Sequence, residues 1–223
     1  AAAFAGDLVT LFIFWELTAI TSVFLIYAGR TEKSATVGTR YMVIQVGSGV
    51  ILLFGMLLWV DAGNSLAFGH SFDIDNWQQL GMFVDPVTKS PINAGAWLIL
   101  IAFGIKAAFP FLHNWLQDSY PAATVTGTVF LSAFTTKLAI YALARGFAGA
   151  DMLIPIGVVM TLFPIFFAVI ENDLRKVLAY SLNNQLGYMV VGIGVGTQLA
   201  LNGTAAHAFA HIIYKGLLFM SMG

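Results

Sequence analysis

Hydrophobic residues occur along this chain in long blocks that are separated by short polar segments. The first block, Leu8–Tyr27, has the length of about twenty residues that one bilayer-spanning helix needs. Further blocks follow at 41–60, 92–116, 124–144, 152–170, 177–198 and from near Thr204 onward. The pattern predicts an all-α, polytopic bundle of about seven transmembrane helices, which forms a single transmembrane domain over residues 1–223.

The connections between these blocks differ in charge, and the charge predicts their side of the membrane. Residues 28–40 and the segment that contains Arg175 and Lys176 are basic, and short cytoplasmic loops collect Lys and Arg. Both segments are therefore predicted to lie inside. The connector at 61–91 is acidic and is predicted to be an extracytoplasmic loop, with Trp77 as an anchor at the membrane interface.

Composition supports this interpretation. Of the 223 residues, 59% are hydrophobic and 9% are charged, against about 25% charged residues in an ordinary soluble domain. The chain is therefore predicted to be an integral membrane protein, and its net charge of −1 gives no indication of nucleic-acid binding. The absence of cysteine excludes disulfides, cysteine-ligated zinc and iron–sulfur clusters in this chain. A sequence that starts without Met and stops inside an apolar block is predicted to be an internal fragment of a longer subunit.

One lysine interrupts the hydrophobic block at 92–116. At the centre of a spanning helix Lys106 would cost roughly 2.5 to 3.5 kcal/mol, so such a residue usually faces a polar interior and belongs to an ion pathway. Pro110 follows four residues later and lacks the N–H that a helix needs, which predicts a kinked or broken helix beside the lysine. The backbone groups that a break frees are tolerated in a membrane only against protein or water. Water is therefore predicted near Lys106.

Glu16 is a second charge at spanning depth, at the centre of the first block. It can form a fixed structural ion pair with Lys106, or the two residues can form a proton switch. Burial favours the neutral lysine, whereas a nearby carboxylate favours the protonated one. Movement of Glu16 relative to Lys106 would then make the lysine release or take up its proton.

Four more candidate proton carriers lie in the apolar blocks: Lys137, His207, His211 and Lys215. Lys137 is either a proton carrier or a side chain that snorkels to the membrane interface. The other three are spaced four residues apart, so they share one helix face. The two histidines can form a proton relay, because histidine titrates near physiological pH, or a simple hydrogen-bonded pair. A metal site lacks an evident third ligand, one helix cannot supply both axial ligands of a haem, and no phosphate-binding glycine motif is present, so no metal or cofactor is predicted.

Several motifs together resemble one family, the proton-conducting antiporter-like subunits that Mrp-type cation/proton antiporters share with respiratory complex I. The motifs cover nearly the whole chain, and they are specific in combination. They are Phe14-Trp-Glu-Leu17, Ile105-Lys-Ala-Ala-Phe-Pro110 with His113-Asn-Trp-Leu116, Thr136-Lys-Leu-Ala-Ile-Tyr141, Asp173-Leu-Arg-Lys-Val-Leu-Ala-Tyr-Ser181, Gln185-Leu-Gly-Tyr-Met189 and His207-Ala-Phe-Ala-His211 with Lys215-Gly-Leu-Leu-Phe219. The resemblance implies that the chain corresponds to helices five to eleven of an inverted-repeat fold.

The same resemblance implies roles in proton translocation for the titratable residues. Glu16 matches the family's helix-five glutamate, Lys106 the lysine of its broken helix seven, and Lys137 its helix-eight lysine. The polar positions of helix eleven are matched by His207, His211 and Lys215.

The function that the resemblance implies is proton translocation in a multisubunit Na⁺/H⁺ antiporter of a bacterial plasma membrane. Its expected partners are other membrane subunits, protons, Na⁺ and lipid. Lys137 favours the branch of D-type Mrp antiporter subunits, but it does not separate this branch from the similar subunits of complex I. Two alternatives stay open: a proton-pumping subunit of a respiratory NADH–quinone oxidoreductase, which would make the chain part of a translocase, and a structural membrane scaffold whose charges form fixed pairs.

Overall fold

The computed structural model describes residues 2–68 and 81–222. In order, the elements are a 3₁₀ turn (Ala2–Phe4), α1 (Leu8–Tyr27), α2 (Glu32–Asp61), α3 (Ala94–Ala107), α4 (Asn114–Ala122), α5 (Val125–Phe130), a π-helical segment (Leu131–Thr135), α6 (Thr136–Phe147), α7 (Leu153–Ile170), α8 (Leu174–Val195) and α9 (Gln198–Ser221). No β-strand occurs in the described part of the chain. The prediction of an all-α, polytopic bundle is confirmed.

The predicted number of seven spans is not confirmed. Within residues 2–68 and 81–222, four helical stretches are long and apolar enough to cross a membrane, namely α1, α2, α7 and the continuous stretch Val125–Phe147. The third predicted span is represented by α3, which has 14 residues. The last two are represented by α8 and α9, which are long enough but less apolar. These three remain predicted spans.

Two polar segments between the hydrophobic blocks are helical. Residues 32–40 form the first turns of α2, because Thr31 and Ser34 make a reciprocal capping box that satisfies the amide groups at the start of the helix. Residues 117–122 belong to α4, with Pro121 in the last turn of that helix. A proline removes one backbone hydrogen bond, and here the helix ends at the next residue.

The α3 helix is broken beside Lys106, as predicted. It ends at Ala107, and Ala108 takes a left-handed conformation with φ of 61°. The break therefore begins before Pro110, and α4 resumes only at Asn114. Trp115 crosses the break, because its indole Nε1 donates a hydrogen bond of 2.9 Å to the Ile105 carbonyl.

Buried aromatic rings join the first four helices. Trp15, Tyr41, Phe103, Trp115 and Tyr120 are almost completely buried. The ring centroids of Trp15 and Phe103 are 5.2 Å apart, and those of Tyr41 and Trp115 are 5.5 Å apart. Rings of this size bury a large apolar area and prefer such offset or edge contacts. This packing fixes α1 against α2 and α3, where the first two candidate site residues lie.

The connections are gathered at two ends of the bundle. At one end, the Arg40 guanidinium on α2 pairs with Asp118 on α4 at 2.7 Å. Arg175 at the start of α8 donates a hydrogen bond of 2.9 Å to the Ala123 carbonyl after α4. The two basic segments that were predicted to lie inside therefore share one end.

The other end holds the described parts of the α2–α3 connector together with the α6–α7 and α8–α9 connections. Asp7 and Ala67 form an isolated bridge, and the Gly149 amide donates to the Ile193 carbonyl at 2.9 Å. The predicted extracytoplasmic connector begins and ends here, but the Trp77 anchor lies outside the described residues. Which end faces the cytoplasm stays a prediction.

Candidate functional site

Lys106 lies in the last turn of α3 and is completely buried. Its ammonium Nζ donates a hydrogen bond of 2.9 Å to the Trp15 carbonyl on α1. The same nitrogen lies 4.0 Å from the centroid of the Trp15 ring, a distance at which the electron-rich face of an indole attracts a cation. A carbonyl and a ring face, both uncharged, therefore hold this lysine.

Glu16 follows Trp15 on α1 and is half buried. It interacts electrostatically with Lys106, yet no carboxylate oxygen among the described residues lies within 4.0 Å of Lys106 Nζ. Glu16 Oε1 is buried and has no hydrogen-bond partner in the described part of the chain. The structure thus brings the two residues to neighbouring positions without forming the direct ion pair that a fixed structural pair requires.

Residues of the neighbouring helix α2 contact the side chains of Trp15 and Glu16 and fix their positions. The Trp15 indole Nε1 donates a hydrogen bond of 3.2 Å to Ser48 Oγ. Ser48 in turn donates to the Gln45 carbonyl at 2.6 Å, and Gly49 lies directly against Glu16. Small residues such as these permit close helix approach, but the sequence did not indicate that they face the glutamate.

Lys137 forms part of a second cluster and lies at the start of α6, directly after the π-helical segment. Its Nζ donates a hydrogen bond of 2.7 Å to the Ser132 carbonyl inside that segment, and only 9% of the residue is exposed. A snorkelling lysine would extend toward the membrane interface. This side chain instead folds back onto the π-helical backbone, which does not match the snorkelling alternative.

His207, His211 and Lys215 all lie on α9, as their spacing predicted. The two imidazole rings are 6.0 Å apart and nearly parallel. Lys215 is 1% exposed and donates a hydrogen bond of 2.8 Å to Ser181 Oγ on α8. His211 interacts electrostatically with Lys137 and Lys215, so the α6 and α9 residues form one cluster.

Buried polar groups in both regions lack partners within the described residues. Both ring nitrogens of His211 and both amide atoms of Gln45 and Gln117 are of this kind. Buried polar atoms in proteins are normally hydrogen-bonded to protein or ordered water. These groups therefore make parts of the interior polar. Both glutamines were missed as candidates in the sequence: Gln45 interrupts an apolar block, whereas Gln117 opens the polar segment after the block at 92–116 and gave no such signal.

A buried hydroxyl pair joins α1 to α2 and was also missed. Ser22 Oγ and the Tyr41 hydroxyl are 2.7 Å apart, and the Tyr41 hydroxyl also interacts with Thr135 in the π-helical segment. Among the described residues, no direct hydrogen bond or ion pair connects Lys106 with Lys137. Single hydroxyl residues in apolar helices are common, so the sequence carried no signal that distinguished these three.

The described residues contain no group of three His, Asp or Glu side chains that could hold a metal ion. The titratable groups of the two clusters are three lysines, two histidines and one glutamate. Such groups can accept and release protons, and ionisable residues inside a membrane commonly mark ion pathways and proton relays.

Comparisons with known proteins identify the relatives of this chain. A family model described as NADH:quinone oxidoreductase/Mrp antiporter, transmembrane, matches residues 5–223. The chain is 30% identical to the D-type Na⁺/H⁺ antiporter subunit of Alkalihalophilus pseudofirmus and 32% identical to the N-type NADH-quinone oxidoreductase subunit of Desulforudis audaxviator. Each match covers 98% of this chain and 44% of the relative, so the chain spans less than half of the length of either.

Two solved structures resemble the fold. A chain of the Mrp complex from Dietzia sp. is 26% identical with a TM-score of 0.82, and the match covers 96% of this chain and 40% of that one. A chain of the membrane-bound sulfane sulfur reductase, an archaeal respiratory membrane complex, is 27% identical with a TM-score of 0.82, over 97% of this chain and 45% of that one.

Proposed function

We propose that this chain is part of a proton-translocating subunit of a multisubunit Na⁺/H⁺ antiporter. The proposal starts from family membership: the chain belongs to the NADH:quinone oxidoreductase/Mrp antiporter transmembrane family. Membership of the family confirms the resemblance that the motifs predicted. The similarity to a D-type antiporter subunit and to the Mrp complex supports the antiporter assignment. The proposed partners are other membrane subunits, with protons and Na⁺ as the transported ions and a bacterial inner membrane as the location.

The environment of Lys106 is the observation that carries the proposal. The lysine is fully buried and held by a carbonyl and a ring face, while the Glu16 carboxylate lies nearby without direct contact. A lysine in this environment can exist neutral or protonated, because its partners accept a hydrogen bond from either form. A change in the distance to Glu16 then changes the balance between the two forms.

The cluster on α6 and α9 is the proposed next proton-binding site of the path. Lys137, His211 and Lys215 interact electrostatically with one another, so a proton that arrives at one of them disfavours protonation of the others. This repulsion drives protons apart along the path. His207, which is stacked beside His211, extends the row by one imidazole.

A respiratory complex is the second candidate, and a specific observation favours it. The identity to the N-type NADH-quinone oxidoreductase subunit is as high as that to the D-type antiporter subunit, and an archaeal respiratory complex matches the fold as well as the Mrp complex does. The intact complex separates the two. Na⁺ gradients that drive proton movement without an electron donor indicate an antiporter, whereas proton movement that requires electron transfer indicates a respiratory complex.

Substitution of Lys106 tests proton translocation itself. Arginine keeps its charge and essentially never deprotonates in proteins, so Lys106→Arg should be nearly as inactive as Lys106→Ala. Both variants should be made in the full-length subunit of the complete complex. Assembly and proton flux should then be measured on the same reconstituted vesicles.

A structural scaffold predicts the opposite order for the same two variants. Arginine would preserve a positive charge opposite Glu16 and would retain assembly, whereas alanine would leave a buried carboxylate uncompensated, which is strongly destabilising. Normal proton flux in Lys106→Arg would rule out proton transfer through this lysine.

A further inference from the structure

We infer that Gly49 on α2 is a positioning residue for Glu16, because its missing side chain leaves the space that the Glu16 carboxylate occupies beside α2. The inference rests on the proposed function, since it assigns a role in the Glu16–Lys106 switch. It concerns a glycine that carries no titratable group and that acts through its neighbour.

The contact between Gly49 and Glu16 is closer than any other side chain at position 49 would permit. A Cβ atom built on Gly49 would overlap Glu16 Oε1 and Cδ, and it would lie 3.3 Å from Glu16 Cγ. Contacts shorter than about 3.4 Å between carbon atoms are already repulsive, because the attractive optimum is near 3.5–4.0 Å. The carboxylate therefore occupies the volume that the missing side chain leaves open.

The backbone around Glu16 cannot easily move to relieve such an overlap. Trp15, the preceding residue, is fully buried and is held by Ser48 through its indole and by Lys106 through its carbonyl. Ser48 and Gly49 are themselves buried on the face of α2 that meets α1. A larger residue at position 49 must therefore displace the Glu16 side chain rather than the helix.

The position of the carboxylate determines how it acts on Lys106. In the space beside Gly49 the Glu16 carboxylate interacts electrostatically with Lys106, but it lies more than 4.0 Å from Lys106 Nζ. Buried charges interact strongly, and their interaction depends on their separation. Gly49 thus fixes the separation at which the two groups rest, and a substitution there changes proton flux without replacing either titratable group.

The experiment compares two nearby glycines of the same helix. At Gly47 an added Cβ meets no atom within 4 Å, whereas at Gly49 it meets Glu16. Gly47→Ala and Gly49→Ala bring the same gain in helix propensity, so their difference reports the contact with Glu16. Both should be made in the full-length subunit, with assembly and the pH profile of proton flux measured in reconstituted vesicles.

The expected result is a pH profile for Gly49→Ala that is displaced by roughly one pH unit, the effect of a tenfold change in proton affinity. Gly47→Ala should keep the profile of the unaltered protein. Coinciding profiles for the two variants would overturn the inference.

If Gly49→Ala assembles poorly, the single variant Glu16→Ala and the double variant Glu16→Ala/Gly49→Ala provide a second test. Removal of the carboxylate in the double variant Glu16→Ala/Gly49→Ala eliminates the overlap, so assembly should return to the level of Glu16→Ala alone. The two changes should then be strongly non-additive, as expected for groups in contact. Additive losses of assembly would overturn the inference.

Failure of the proposed function gives a different result. In that case Glu16→Ala itself leaves the flux and its pH profile unchanged, while the assembly measurements still report the contact between positions 16 and 49. If instead Glu16→Ala slows flux but Gly49→Ala behaves as Gly47→Ala does, the proposed function stands and the role of Gly49 is refuted.

Discussion

The buried lysines share one property: each donates to an oxygen atom of an uncharged group. Lys106 bonds to the Trp15 carbonyl, Lys137 to the Ser132 carbonyl and Lys215 to Ser181 Oγ. When a buried ion pair loses one of its charges, the main cost is the unpaired charge that stays buried. None of these lysines is directly paired with a carboxylate, so loss of the lysine proton would not incur this cost. This arrangement favours lysines that change protonation state over lysines that serve as fixed structural charges.

The first residue-scale prediction concerns Glu16. Glu16→Ala should weaken proton flux and alter its pH dependence while the complex still assembles, because Lys106 keeps its hydrogen bond to Trp15 but loses the nearby carboxylate. The measurement is flux against pH in vesicles driven by a pH gradient. An unchanged rate over the whole pH range would contradict the switch.

The second residue-scale prediction compares the lysine and the histidines of the second cluster. Lys137→Ala should reduce flux on the order of a hundredfold, the contribution of a well-placed proton-transfer group. His207→Ala should reduce flux only a few-fold, because a water molecule can take the place of one imidazole.

The double variant His207→Ala/His211→Ala tests whether the two histidines belong to one proton path. Its loss of flux should exceed the sum of the two single losses, since both relay positions then become apolar. Simple additivity of the measured losses would argue against one path through both rings.

At the scale of elements, the π-helical segment explains how Lys137 reaches its position. Two of its carbonyls accept hydrogen bonds from side chains, Leu131 from the Tyr120 hydroxyl at 2.9 Å and Ser132 from Lys137 Nζ at 2.7 Å. A π-bulge changes the backbone hydrogen bonds of a helix locally and is frequent at functional sites. The segment therefore presents carbonyl oxygens to the interior, where one of them holds the lysine.

Tyr120→Phe tests the contribution of this segment to stability. The change would remove the hydrogen bond from the Tyr120 hydroxyl to the buried Leu131 carbonyl, at a cost of about 0.5–1.5 kcal/mol. Thermal unfolding of the purified complex should show this loss. Tyr27→Phe is the matched control, because the Tyr27 hydroxyl bonds to Thr39 at an exposed site, and an equal effect of both changes would contradict the prediction.

At the scale of the whole molecule, the described connections other than the α3–α4 break lie at one of two ends of the bundle. The segment after α1, the end of α4 and the start of α8 lie together, held by Arg40 with Asp118 and by Arg175 with Ala123. Five of the ten basic residues belong to the segments at this end, namely Arg30, Lys33, Arg40, Arg175 and Lys176. The prediction that the two basic segments lie on the same side agrees with the packing of the helices.

The absence of cysteine from this chain permits a direct test of orientation. Lys33→Cys and Asn172→Cys, both at exposed positions, should react with an impermeant thiol reagent only from the cytoplasmic side. Thr88→Cys is exposed at the other end and should react only from outside. The variants should be made in a full-length subunit without other cysteines.

The buried position Leu186→Cys is the negative control for this labelling. Reaction of positions 33 and 172 from opposite sides would contradict the fold. Reaction of both from the outside would preserve the fold and reverse the predicted orientation.

The sequence by itself determined the helical class, most helix positions and which helices carry the ionisable residues. These features depend on local properties, namely the length of each apolar block and the cost of a charge within it. The span Leu8–Tyr27 was predicted to the residue, and the α3 helix breaks in the predicted region. Boundaries were wrong where side-chain capping extended a helix into polar sequence, as it does from Glu32 onward.

Only the tertiary structure decided which group each buried charge contacts. Lys106 bonds to the backbone of Trp15 rather than to Glu16, and Glu16 rests against Gly49. The π-helical segment before Lys137 was equally invisible in the sequence. The physical reason is the same in each case: contacts between helices depend on their rotation and separation, which packing across the whole bundle fixes and which no local pattern of residues encodes.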